Sequence, residues 1–257
     1  MAKEINMRTI AITDHDTVAG VEEAIIAGKE YGIEVIPGIE MSVDYDGIYE
    51  ILGYNIDYKN EEFLGKLEQR KTWREERMLK TVELMNTLGY DIKVEEVEKI
   101  ANGASIGRPH IAKALIDRGY FNNIKEVFNE LLAEGKKGYV KAKGFSIKEV
   151  IEIIIKAGGV PVLAHPYMMR FNDEELEEEI KKLVSYGLKG IEALYSESTL
   201  EKNKFHLELA QKYNLIFTCG SDFHGGNKRR EIGKIIEDKG MIEDYSIIEK
   251  LKSITQN

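Results

Sequence analysis

Residues 160–166, VPVLAHP, and residues 215–225, LIFTCGSDFHG, decide the fold. Each is a short apolar run, rich in branched residues, that follows a helix-like stretch and stops abruptly at residues able to hold a metal. Runs of this length after a helical segment read as buried parallel strands. Two more segments share the pattern. RTIAITDHD (8–16) ends at His15, and EVIPGIE (34–40) ends at Glu40. Outward from these four, helix signals fill the gaps. One helix runs from near Val18, with Asp16 as its N-cap, to Tyr31-Gly32. Another starts at Ser146 and runs to Lys156, and others cover 174–186 and 200–213, with a last one near 244–253. GIYEILGY (47–54) reads as a further strand. Alternating strands and helices predict an α/β fold with a parallel sheet or barrel. From about residue 60 the character changes. Residues 60–143 are charged, with apolar positions at helical spacing, and read as a helical insertion between barrel segments 1–59 and 144–257.

In a βα barrel the chemistry sits at the carboxyl ends of the strands. Imidazole and carboxylate are the donors expected for Zn, Mn or Fe. Three of the five histidines, His15, His165 and His224, fall at predicted strand ends, beside Glu40 and Asp222. A lone strand-end histidine is more often structural than a ligand, and the coincidence of four such strand ends is what points to metal. His206, inside KFHLELA, reads as structural. The single cysteine, Cys219, excludes an internal disulfide framework and reads as a small core residue. The net charge of −9 argues against a broad nucleic-acid-coating surface, though metal ions can still attract a phosphate substrate. No apolar run approaches the roughly 20 residues a membrane crossing needs. With no signal-peptide layout, the expected compartment is the cytoplasm, with no membrane partner and no specific DNA site.

Taken in order, ITDHDT, PGIE, GRPHIA, LAHP and GSDFHG resemble the PHP (polymerase and histidinol phosphatase) family. They look most like the subgroup that includes bacterial nucleoside 3′,5′-bisphosphate phosphatases with 5′→3′ exoribonuclease activity on short RNA. The resemblance implies a distorted (β/α)7 barrel, up to three divalent ions, and His15, Glu40, His165, Asp222 and His224 as ligands, with Glu40 bridging two ions. Two departures stand out. The family's opening His-x-His strand and Ser-Asp-Gly turn are missing, so the first βα unit is absent from these 257 residues. An upstream segment carrying the motif is the favoured reading, and loss of the first metal site is the alternative. Glu50 also stands where relatives carry a histidine ligand. As a harder oxygen donor it tilts the metal toward Mn²⁺ over Zn²⁺ or Fe²⁺; as an ordinary strand-surface residue it would do nothing of the kind.

The implied reaction is hydrolysis of a phosphate monoester of a nucleotide, or of a short RNA at its 5′ end, by a metal-activated water. Arg108 opens a helix in GRPH, where backbone N–H groups and the helix dipole favour an anion. Its guanidinium offers phosphate a two-pronged fork, and His110 is expected to donate to the phosphate or protonate the leaving oxygen; the alternative is that Arg108 and His110 simply cap the helix. Lys228 and Arg229, followed by Arg230, form a basic run suited to a second phosphate. The insertion carries Arg108 and is expected to cover the barrel mouth. Two rival readings are a hydrolase of another bond type and a pseudoenzyme that has lost its first metal site.

Overall fold

The computed structural model of the chain describes residues 1–45, 47–103, 105–225, 230–234 and 246–254. They form two compact units, Met1–Leu64 with Phe145–Asn257, and Gly65–Gly144.

The first unit is an α/β half-barrel. Its strands are β1 (Thr9–Ile12), β2 (Glu34–Ser42), β3 (Glu50–Tyr54), β4 (Val160–Leu163), β5 (Gly190–Tyr195) and β6 (Ile216–Gly220), which neighbour one another in chain order. Helix α1 (Val21–Tyr31) connects β1 to β2. Past the second unit, α6 (Ile147–Lys156), α7 (Asp173–Tyr186) and α8 (Leu200–Lys212) alternate with β4 to β6, and α9 (Ser246–Ile254) closes the described chain. The caps follow the sequence. Ser146 and Glu149 form a reciprocal box at the start of α6, and Asn172 and Glu175 do the same for α7.

One expectation fails. β3 does not continue a run of parallel βα units; it pairs antiparallel with both β2 and β4. The cause is chain length. Ser42 and Glu50 are paired residues, and the few residues between them can turn a hairpin, whereas a parallel crossover needs a dozen or more. The parallel pairs are β1 with β2, β4 with β5, and β5 with β6.

The strands bury their inward faces in a cluster of Ile36, Leu52, Tyr54, Val160, Val162 and Leu251, the last supplied by α9. Gly38 sits where β2 presses on its neighbours. A Cβ there would lie 2.9 Å from the Gly53 carbonyl oxygen and from Thr13 Cγ2. Gly38→Ala should therefore cost about 1–3 kcal/mol by overpacking, read as a lower urea midpoint at unchanged slope.

His206 is 1% exposed on α8, and burial first, then Lys202, push its imidazole down to about 4. The folded state thus resists protonation that the unfolded chain accepts near pH 6.5, so stability is lost as pH falls from about 6.5 toward 4. The full loss is about 3 kcal/mol. The measurement is the difference in unfolding free energy between wild type and His206→Phe. It should grow in the variant's favour across that window and stay constant above pH 7.5.

The second unit contains α3 (Val94–Ala101), α4 (Arg108–Asp117), a short α5 (Ile124–Val127) and most of α2 (Glu61–Thr87). Its core includes Met85, Ile92, Leu115, Val127, Leu131 and Leu132. Past α5 the chain widens into a π turn over Phe128–Leu132.

Candidate metal centre

The carboxyl ends of β1, β2 and β4 and the start of β3 bring four side chains together from residues 15, 40, 50 and 165. Pairing of β1 with β2 continues past Ile12. Asp14 O accepts from Glu40 N at 3.2 Å, and Asp16 N donates to Glu40 O at 2.9 Å, so His15 lies directly beside Glu40. The antiparallel hairpin then folds Glu50 back onto the same end, because Ser42 pairs with Glu50.

The two carboxylates are shared. His15 Nδ1 lies 3.2 Å from Glu40 Oε2 and 3.4 Å from Glu50 Oε1. His165 Nε2 lies 2.8 Å from Glu40 Oε1 and 3.3 Å from Glu50 Oε2. Each glutamate thus gives one oxygen to each imidazole. Glu40 and His165 are buried, Glu50 is largely so, and His15 is half exposed.

That packing governs the protonation. The Glu50 hydrogen bond outweighs burial and lifts His15 to about 9. Burial pulls His165 down, but hydrogen bonds to Glu40 and Glu50 overcome it and raise it to about 10. Burial pushes Glu40 up, whereas for Glu50 the two imidazoles outweigh burial and hold it far below the usual carboxylate range. A cluster that drives both histidines to their charged forms is one that demands positive charge.

The donor set fits a divalent cation. His15, Glu40 and Glu50 offer one ligand atom each, all within 4.8 Å of one another. Donors about 2.1 Å from a tetrahedral ion sit roughly 3.4 Å apart, close to the separations between His15 and the two glutamates. The ring Nδ1 of buried His165 has no hydrogen-bond partner among the described residues.

Asp222 and His224 border the same cavity, about 760 Å³ in volume, into which His15, Glu40 and His165 also face. The His224 ring is 5.7 Å from the His15 ring. The Asp222 carboxylate is taken up by Tyr195, whose hydroxyl donates to Oδ2 at 3.2 Å, and by the Arg230 guanidinium, which also pairs with Glu197 at 3.0 Å. Arg230, the last residue of the basic run, is therefore an ion-pair partner of Asp222. Lys228 and Arg229 lie outside the described residues.

Asp16 does not cap α1, whose first residue is Val21. Its carboxylate accepts from the Ser42 N–H at 3.1 Å, and the Ser42 hydroxyl, with one proton to give, lies between Asp16 at 3.3 Å and Glu50 at 3.1 Å. Asp16 (φ 55°), His165 (φ 23°) and Asp222 (φ 49°) all adopt backbone angles that non-glycine residues rarely take, a feature that concentrates at functional sites.

In the second unit, Gly107 N donates to His110 Nδ1 at 3.0 Å. This fixes the neutral tautomer, with the proton on Nε2. Burial lowers the His110 pKa, which keeps that tautomer at neutral pH. Arg108 donates to Leu132 O at 3.3 Å and lies over the rings of Phe128 and Tyr139.

The sequence profile of the PHP domain matches residues 1–210. The chain belongs to the PHP domain family. A 5′-3′ exoribonuclease of Haemophilus influenzae is 31% identical over 232 residues, spanning 90% of this PHP chain and 84% of that relative. A 3′,5′-nucleoside bisphosphate phosphatase of Chromobacterium violaceum is 32% identical over 235 residues, spanning 87% of this chain and 80% of the other. Among solved structures, one from Bifidobacterium adolescentis, described as a metal-dependent phosphoesterase, superposes with a TM-score of 0.79 at 29% identity. That match covers 98% of this PHP chain and 88% of the other. An amidohydrolase from Chromobacterium violaceum, solved with sulfate and no metal, also gives 0.79, at 26% identity, over 96% and 86% of the two chains.

Two elements of the site carried no motif. Glu192 on β5 accepts the His165 N–H at 2.9 Å, and Tyr195 holds Asp222. Glu192 had one available signal: it is a carboxylate in the otherwise apolar strand GIEAL, and such residues are seldom buried without a task.

Proposed function

We propose that this PHP chain is a divalent-metal phosphoesterase acting on small phosphorylated nucleotides, nucleoside 3′,5′-bisphosphates or the 5′ ends of short RNA. The observation that carries this reading is the sharing of Glu40 and Glu50 between His15 and His165. Carboxylates placed between two imidazoles in this way would serve as ligands that divalent cations could share. His15, Glu40, Glu50 and His165 would hold them, with Asp222 and His224 beside. Ions held there would activate a water and neutralise phosphoryl oxygens. Glu50, an oxygen donor where a nitrogen was expected, favours Mn²⁺ as the ion.

The side chains divide the remaining work. Glu40, 5% exposed, fixes the spacing between His15 and His165 and keeps bulk water from the buried edge of the site. Asp16 holds Ser42 by its N–H, which leaves the Ser42 hydroxyl to donate to Glu50 and orient it. Arg108 is the proposed phosphate fork, at the N-terminus of α4 where the helix dipole adds to its charge. His110, with its proton on Nε2, is the proposed donor to the leaving oxygen.

The test is hydrolysis by the Mn²⁺-loaded protein of a nucleoside 3′,5′-bisphosphate, a 5′-phosphorylated short RNA, and an amide and a lactone panel. Phosphate release from either of the first two supports the reading. Turnover confined to the amides or lactones, or a protein that binds no Mn²⁺, overturns it. Arg108→Ala should raise KM for the phosphate substrate by about tenfold and leave bound metal unchanged, measured by steady-state kinetics beside metal analysis.

A further inference from the structure

Glu192 lies outside the four-residue cluster, yet its side chain contacts the main chain of His165 and leaves no room for a Cβ at Gly220. It is 5% exposed at a β-bulge on β5, a device that re-aims side chains. One carboxylate oxygen accepts the His165 N–H at 2.9 Å. His165 itself has φ 23° and ψ 61°, a conformation that a side-chain-bearing residue holds only when its surroundings enforce it. The other oxygen reaches toward Gly220 on β6, where a Cβ would lie 2.0 Å from it. Any residue larger than glycine at 220 would displace this carboxylate. A buried carboxylate is costly, and an apolar side chain in β5 would avoid the cost. What an apolar side chain could not do is accept the His165 N–H and so pin the turn that aims the imidazole at Glu40 and Glu50.

We propose that Glu192 is a positioning residue of the metal centre: through the main chain of His165 and the clearance left by Gly220, it sets the imidazole in its ligating direction. The proposal rests on the metal-centre reading above.

The experiment uses the full chain and reads metal, with activity as a second measure. Mn²⁺ affinity is measured by titration calorimetry and the visible spectrum of the Co²⁺ form is recorded. Wild type is compared with Glu192→Gln, Glu192→Ala, Gly220→Ala and the Glu192→Ala/Gly220→Ala double variant. Removing the acceptor in Glu192→Ala should weaken Mn²⁺ binding by about 10- to 100-fold and alter the Co²⁺ spectrum, in the range found when a partner that orients a metal ligand is lost. Glu192→Gln, whose amide oxygen still accepts, should stay within about threefold of wild type by the same reasoning. Gly220→Ala should resemble Glu192→Ala, and the double variant should be no worse than Glu192→Ala, because both changes remove one carboxylate from one place. Wild-type affinity and spectrum in Glu192→Ala, a Gln variant as poor as the Ala variant, or losses that multiply in the double variant would each overturn the proposal. If Glu192→Ala does not fold, Gly220→Ala against Glu192→Gln decides the question alone. A wild-type protein that takes up no Mn²⁺ defeats the metal-centre reading itself, and the proposal with it. That failure is visible before any variant is compared.

Discussion

Replacing Glu40 with glutamine should lower kcat/KM for phosphate ester hydrolysis by roughly 10³-fold, together with loss of bound metal. The size follows from where the residue sits. Glu40 is buried, and its two oxygens face His15 Nδ1 at 3.2 Å and His165 Nε2 at 2.8 Å. The amide keeps the shape but removes the charge and leaves only one oxygen to share. Both imidazoles then lose the partner they hold in common, and one side of a buried charge pair is left uncompensated. Losing about 4 kcal/mol of transition-state stabilisation along with the metal gives that factor, since each 1.36 kcal/mol is tenfold in rate. Metal content by elemental analysis and steady-state hydrolysis are the two measurements. A variant that retains full metal and more than a tenth of wild-type kcat/KM would contradict the bridging role.

Mn²⁺ at about a thousand times its dissociation constant should stabilise the protein by about 4 kcal/mol, and chelation should remove that increment. For a chain of this size the melting temperature should rise by roughly 10 °C. The physical source is the repulsion stored in the metal-free cluster. Glu40 and Glu50 lie together between His15 and His165, and hydrogen bonds to the two carboxylates favour the charged imidazoles, raised to about 9 and about 10. A cation replaces those protons with a stronger and more localised charge. Scanning calorimetry with and without chelator gives the shift. In Glu50→Ala the same titration should produce less than half of it, since the ion loses one of the two shared carboxylates. An equal shift in that variant would place the bound ion elsewhere.

Several of these residues were legible before any tertiary contact was known. His15, Glu40, His165, Asp222 and His224 stood out because apolar strands end on them, and period and composition mark strand ends well. Ser146 as the start of α6 was legible for the same local reason. Glu50 was not, because GIYEILGY offers a carboxylate on an alternating strand that suits a solvated face equally well. Only the antiparallel turn between β2 and β3 places it between His15 and His165. Asp16 has the composition of a helix cap, and its actual partner, Ser42, lies 26 residues away on another strand.

The amino-acid order alone marked a set of candidate chemical side chains and the approximate places of most strands and helices in the α/β unit. Those features depend on backbone preferences and on the spacing of apolar residues within a few turns of chain. The meeting of His165 with Glu40, 125 positions apart, and the acceptance of the His165 N–H by Glu192 were decided by the fold. Strand pairing and close packing set those distances, and no short stretch of sequence contains both halves of either contact.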